Sequence, residues 1–168
     1  NNENAILIPT NLPPRQALPF MFVPLLQTMT KNGLIENKQK ELEKTIGYLQ
    51  KNQDLIEQKA QQLAEKLYNH FPVIYASPLL ESTAYRWQTQ LNENAKILCH
   101  SHTIPEMNHN EINALQSNNN SFFVLLKEQN VHRQTQKRFA FLKKLLKQNQ
   151  YWEETIVADS KLETVLQA

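Results

Sequence analysis

The chain has 168 residues, 40% of them apolar and 20% charged, with a net charge of +2. That length suits one domain around a single core, the composition excludes a disordered chain, and so small a charge excludes nucleic acid or an anionic membrane as the main partner. One cysteine, Cys99, excludes an internal disulfide, and no apolar run approaches the ~18 residues of a membrane span.

The N-terminus carries no signal-peptide pattern, so the expected protein is soluble and cytoplasmic. It begins at Asn1 without a methionine, as a fragment would. Two glycines, Gly33 and Gly47, are too few for a glycine-rich phosphate cradle.

Ala5 to Pro9 (AILIP) reads as a short strand, and Asn11 to Pro14 as a turn. Gln16 to Met29 is mostly apolar, but Pro19 and Pro24 predict a kinked or short helix, closed by Gly33. From Asn37 to Phe71 apolar residues recur at three and four, from Leu42 through Ile46, Leu49, Ile56, Ala60 and Leu63 to Leu67. Asn52-Gln53-Asp54 suits a cap better than a helix interior, so two helices are expected, packed on a sheet. The competing reading is one long heptad helix with a coiled-coil partner.

Pro72 to Ala76 (PVIYA) predicts a buried strand. A helix follows from about Thr83 to Asn94, burying Ala84, Trp87, Leu91 and Ala95 and turning Arg86, Gln90 and Glu93 outward. Ser82 or Thr83 is its expected cap; the alternative is that Ser77, Ser82 and Thr83 hold an anion there. Ile97 to His102 is the next strand, and Pro105 opens a further helix. Ser121 to Leu126 (SFFVLL) is a strand, Val131 to Gln148 an amphipathic helix, Tyr151 to Val157 a last strand, and Lys161 to Gln167 a last helical turn or two. Strands alternating with helices in this way predict an α/β fold: a parallel sheet of about four or five strands with helices on both faces. Reactive groups in such sheets collect beyond the carboxyl ends of the strands, where Ser77, Glu93 and the residues after His102 could meet.

Two polar islands stand out, Asn92-Glu93-Asn94-Ala95-Lys96 and Pro105-Glu106-Met107-Asn108-His109-Asn110-Glu111-Ile112. By spacing alone Glu93 is a surface glutamate. In a helix opened by Pro105, His109 lies on a polar face, whereas Asn108 and Glu111 fall beside Met107, Ile112 and Leu115. Those two need partners, at a cost of about 1–3 kcal/mol each if unmet, and are candidates to orient His109. His100, His102 and His109 invite a zinc reading, but neither HExxH nor CxxC occurs, and the expectation is no metal. Cys99 sits in an apolar run and is expected to be inert core.

The run YRWQTQLNENAK followed by PEMNHNEI resembles the C-terminal sugar isomerase (SIS) domain of the bifunctional phosphoglucose/phosphomannose isomerases. Leu12-Pro13-Pro14-Arg15 resembles the proline–arginine motif that opens that half. The likeness runs from about Ala5 to Val157 and implies an SIS-like, flavodoxin-type three-layer sandwich. It divides the chain into an interdomain segment, 1–14, and a C-terminal SIS domain, 15–168, without the family's final helix or its upstream SIS domain.

It also implies roles. Glu93 is the base that moves a proton between carbons 1 and 2 of a sugar phosphate, His109 assists ring opening, and Arg15 steadies the enediolate. The implied reaction converts glucose 6-phosphate or mannose 6-phosphate to fructose 6-phosphate without a cofactor, in glycolysis and gluconeogenesis. The implied partners are the sugar phosphate, the upstream SIS domain and a second copy in a homodimer. In the family a Ser/Thr-rich loop of the upstream domain grips the phosphate, so these 168 residues alone are expected to be inactive. The competing reading is a non-catalytic SIS module that binds a sugar phosphate and regulates a partner. A binding module has no need of a base, which favours the enzyme.

Overall fold

A computed structural model describes residues 5–115, 120–147 and 151–157. The chain divides into two compact units, Asn1–Lys44 and Thr45–Ala168, and the boundary expected after Pro14 falls inside the first.

In the first unit the AILIP run is not a strand. Ile6, Leu7 and Ile8 are exposed, and no described strand pairs with them. An apolar run has no strand preference of its own without a neighbour to pack on. Asn11 turns the chain in the left-handed region (φ +70°), ahead of a 3-10 turn at Pro14–Gln16 that carries Arg15.

Helix α1 (Leu18–Lys31) runs unbroken for 14 residues. Pro19 falls in its first turn, where the missing N–H is not needed, and Pro24 is accommodated inside. The expected cap is present. Gly33 adopts φ +69°, its N–H donates to Thr30 O (3.0 Å), and Leu34 N–H donates to Met29 O (2.9 Å), the paired bonds of a Schellman motif.

Helix α2 (Gln39–Leu67) is one helix of 29 residues, which corrects the expected break. Asn37 Oδ1 accepts from Gln39 N–H at its start (2.9 Å). At the supposed break, Asn52 Nδ2 donates to Tyr48 O (2.8 Å) and Gln53 Nε2 to Glu57 Oε1 (3.0 Å), both four residues apart. The polar residues are served within the helix, and their propensity cost is a few tenths of a kcal/mol each, too little to stop it.

The second unit holds a four-stranded parallel sheet of order β2-β1-β3-β4: β1 (Phe71–Ala76), β2 (His100–Thr103), β3 (Ser121–Glu128) and β4 (Tyr151–Val157). Helix α3 (Glu81–Gln90) crosses from β1 to β2, and α4 (Arg133–Leu146) from β3 to β4.

Strand alternation splits the core in two. Ile74, Ala76, Phe122, Val124 and Leu126 face Leu67 of α2 and Ala84 of α3. Val73, Tyr75, Phe123 and Leu125 face Phe139, Leu142 and Leu146 of α4. This is the expected α/β sandwich, with helices on both faces. The expected helix over Lys161 to Gln167 lies outside the described residues.

Candidate functional site

Helix α3 begins two residues earlier than expected and neither candidate serine nor threonine caps it. Its N-cap is Leu80, without a side-chain bond, and Thr83 Oγ1 is buried with no partner among the described residues. Ser77 is buried too, and its hydroxyl donates to the Glu128 carboxylate. That contact presents a negative charge where an anion would have to bind, so the Ser77 anion reading is not supported.

The ENAK residues form a π turn, Leu91–Ala95, at the end of α3. Lys96 ends it in the left-handed conformation (φ +59°), and its ammonium donates to Glu93 O (2.5 Å). Asn92 Oδ1 accepts from Cys99 N–H (3.0 Å), which ties the turn to the start of β2. Glu93 is exposed, as is Ala95, which was expected to be buried. Among the described residues the Glu93 carboxylate takes no hydrogen bond or ion pair and is open to solvent.

Cys99 is buried, and burial pushes its thiol up to about 12, which fits inert core.

Beyond β2, Pro105 does not open an α-helix. The PEMNHNEI residues make two 3-10 turns, Glu106–His109 and Glu111–Asn113, after a cis Ile104–Pro105 bond. Met107 and Ile104 are fully buried, and His109 is exposed. Because the chain is in 3-10 turns, the helical phase assigned to Asn108 and Glu111 does not hold. Among the described residues Asn108 Oδ1, which is buried, has no hydrogen-bond partner.

Glu111 is well satisfied. Its Oε1 meets His100 Nε2 (3.0 Å) and His102 Nδ1, and its Oε2 accepts from the Tyr75 hydroxyl (2.9 Å). Burial pushes the Glu111 carboxyl up, but the bonds from His100, Tyr75 and His102 outweigh it and hold the carboxyl below its usual range. Tyr75 is raised well above a free phenol, chiefly by burial and then by the Glu111 charge, so it remains a donor.

These contacts pin the segment that carries His109. Sequence reasoning saw that Glu111 needed partners but named none of the three. The signal was the HxH pair, which puts two imidazoles on one face of β2.

Glu93 and His109 both belong to the second unit, and Arg15, half-buried, to the first. Since β1 and β2 are parallel, α3 returns to the start of β2, so Glu93 precedes that strand's first residue while His109 follows its last. The expected meeting of Glu93 with the residues after His102 at one sheet edge is therefore not what the topology gives. No described hydrogen bond or ion pair joins Glu93 to His109.

Residues 56–168 match the model of the bacterial phospho-glucose isomerase C-terminal SIS domain. The chain belongs to that family. Among curated relatives, the bifunctional phosphoglucose/phosphomannose isomerase of Thermoplasma volcanium is 38% identical over 112 residues, 64% of this chain and 34% of that one. The Aquifex aeolicus protein of the same name is 30% identical over 142 residues, 83% of this chain and 42% of its own. The chain thus spans between a third and a half of those relatives' length. A crystal structure from Clostridium difficile 630, provisionally assigned as a phosphosugar isomerase, superposes with a TM-score of 0.55 at 18% identity. It covers 84% of this chain and 44% of that one, and shows the shared SIS-type fold. Both islands, with Glu93 and His109, lie inside the family match, whereas Arg15 lies outside it.

Proposed function

We propose that the complete protein isomerises an aldose phosphate to a ketose phosphate, glucose 6-phosphate or mannose 6-phosphate to fructose 6-phosphate, with this chain as its C-terminal half. The observation that carries this reading is the family match, because it takes in both the ENAK and the HNE islands. The names of the curated relatives support the substrate class.

In this reading Glu93 removes the proton next to the carbonyl and returns it to the neighbouring carbon. An exposed carboxylate with no described partner is free to do so. His109 passes a proton at the ring oxygen, as an imidazole can with one ring nitrogen donating and the other accepting. Arg15 stabilises the enediolate oxygen with a permanent charge. The separation of Glu93 from His109 along β2 favours a site completed by a further surface, which fits the proposed homodimer and upstream SIS domain. A cytoplasmic place in glycolysis and gluconeogenesis follows from that substrate class. Among the described residues no helix is long and apolar enough to cross a membrane.

The test is Glu93→Gln in the complete protein, with turnover followed by a coupled assay and ligand binding by calorimetry. Turnover falls by about 10²-fold or more, as for loss of a general base, while fructose 6-phosphate binding is largely kept. Equal turnover in variant and parent excludes Glu93 as the base.

A further inference from the structure

The two histidines of β2 are not used by the proposed isomerisation, yet they converge. His100 and His102 stand two residues apart on the edge strand, on the face shared with Tyr75, and Glu111 reaches them from the following 3-10 turn. His100 Nε2, His102 Nδ1 and a Glu111 carboxylate oxygen all lie within 4.8 Å of one another. In a tetrahedral zinc site with bonds of about 2.0–2.1 Å, ligand atoms are about 3.4 Å apart. Small side-chain rotations close the remaining gap.

We propose that His100, His102 and Glu111 form a binding site for a divalent transition-metal ion of the zinc class. This proposal departs from the sequence expectation of no metal and takes Glu111 in place of His109, the third histidine considered there. Two imidazoles and one carboxylate are a borderline-soft donor set. It suits zinc, and disfavours calcium and magnesium, which take oxygen shells.

The surroundings fit a site of this kind. His100, His102 and Glu111 side chains are 44%, 28% and 25% exposed, so an ion has access and a fourth position can be filled by water. Tyr75 holds the second carboxylate oxygen, the outer-shell bond that orients a ligating carboxylate. Both imidazoles crowd one oxygen of a single carboxylate. A cation placed among the three would give each donor atom its own bond.

The experiment measures zinc binding to the untagged protein by calorimetry and by competition with a chromophoric chelator. Cobalt(II) spectra report the geometry. The expected result is about one zinc per chain, with tetrahedral cobalt bands. The double variant His100→Ala/His102→Ala loses affinity by about a hundredfold or more, whereas His109→Ala binds as the parent does. Tyr75→Phe keeps all three ligands and weakens binding about tenfold, as loss of an outer-shell partner does. It guards against a double variant that fails to fold, which circular dichroism would reveal. Absence of zinc binding by the parent overturns the proposal. So does parent-like affinity in a folded double variant, or cobalt bands unchanged by it.

Discussion

Tyr75 is 2% exposed, and its ring stacks on Phe123 at 5.8 Å while its hydroxyl reaches Glu111. One side chain therefore links the apolar layer under α4 to the segment bearing His109. In Tyr75→Phe the ring stays and the donor goes. Glu111 keeps His100 and His102 and can recruit water on its exposed side, so the expected loss is about 1–2 kcal/mol of unfolding free energy, read from urea denaturation. A loss below ~0.3 kcal/mol would show that the bond does not anchor the segment. The need for such a partner could be read from Glu111 lying among apolar neighbours in the sequence. Its identity could not, because the contact depends on the β1–β2 register and on 3-10 rather than α geometry after Pro105. Glu93 and His109 were named from motif resemblance; periodicity alone left Glu93 a surface residue, and its exposure agrees with that.

At the scale of elements, strands β1, β3 and β4 were legible as short runs bounded by turn residues or by chain polarity. The AILIP run has the same composition and is no strand, because a strand is defined by its neighbour as much as by its residues. Strand β2 was placed three residues early: the apolar Ile97 and Leu98 suggested strand, but the chain there is still leaving the π turn, and pairing starts at His100. The α2 break failed for a related reason, since polar residues on an exposed face place no limit on helix length. Helix α4 was read correctly by its stripe, and the stripe sets its energetics. Phe139, Leu142 and Leu146 are at most 1% exposed, whereas Lys144 is exposed. Leu142→Ala removes a fully buried side chain and leaves a cavity, costing about 2–5 kcal/mol. Lys144→Ala stays within about 0.5 kcal/mol of the parent. Chemical denaturation of both variants checks the pair, and similar losses in the two would mean that α4 does not pack on the sheet by this face.

Among the described residues, most of the buried apolar side chains belong to the second unit. The two apolar clusters meet on opposite faces of β1 and β3, the central strands, where Ile74, Leu125 and Leu126 have no exposed surface. Helix α1 has no buried residue, and Leu18, Phe20, Met21 and Leu25 along it are each more than 40% exposed. Opening a helix of that kind uncovers little apolar area, whereas opening β1 or β3 breaks both clusters and a ladder on each side. Local openings cost free energy in proportion to what they uncover, so the two regions should exchange their amide hydrogens on different scales. Native-state hydrogen exchange is expected to show the amides of Val73 to Ala76 and Phe122 to Leu126 exchanging only through global unfolding. Those of Phe22 to Met29 should exchange at least about 100-fold faster, through a local opening about 3 kcal/mol less costly. The denaturant dependence separates the two mechanisms: steep for the strands, nearly flat for α1, because the slope follows the surface exposed. Equal protection and equal slopes in α1 and β3 would show that the helix unfolds with the sheet as one cooperative body, and that its exposed apolar residues are covered in solution.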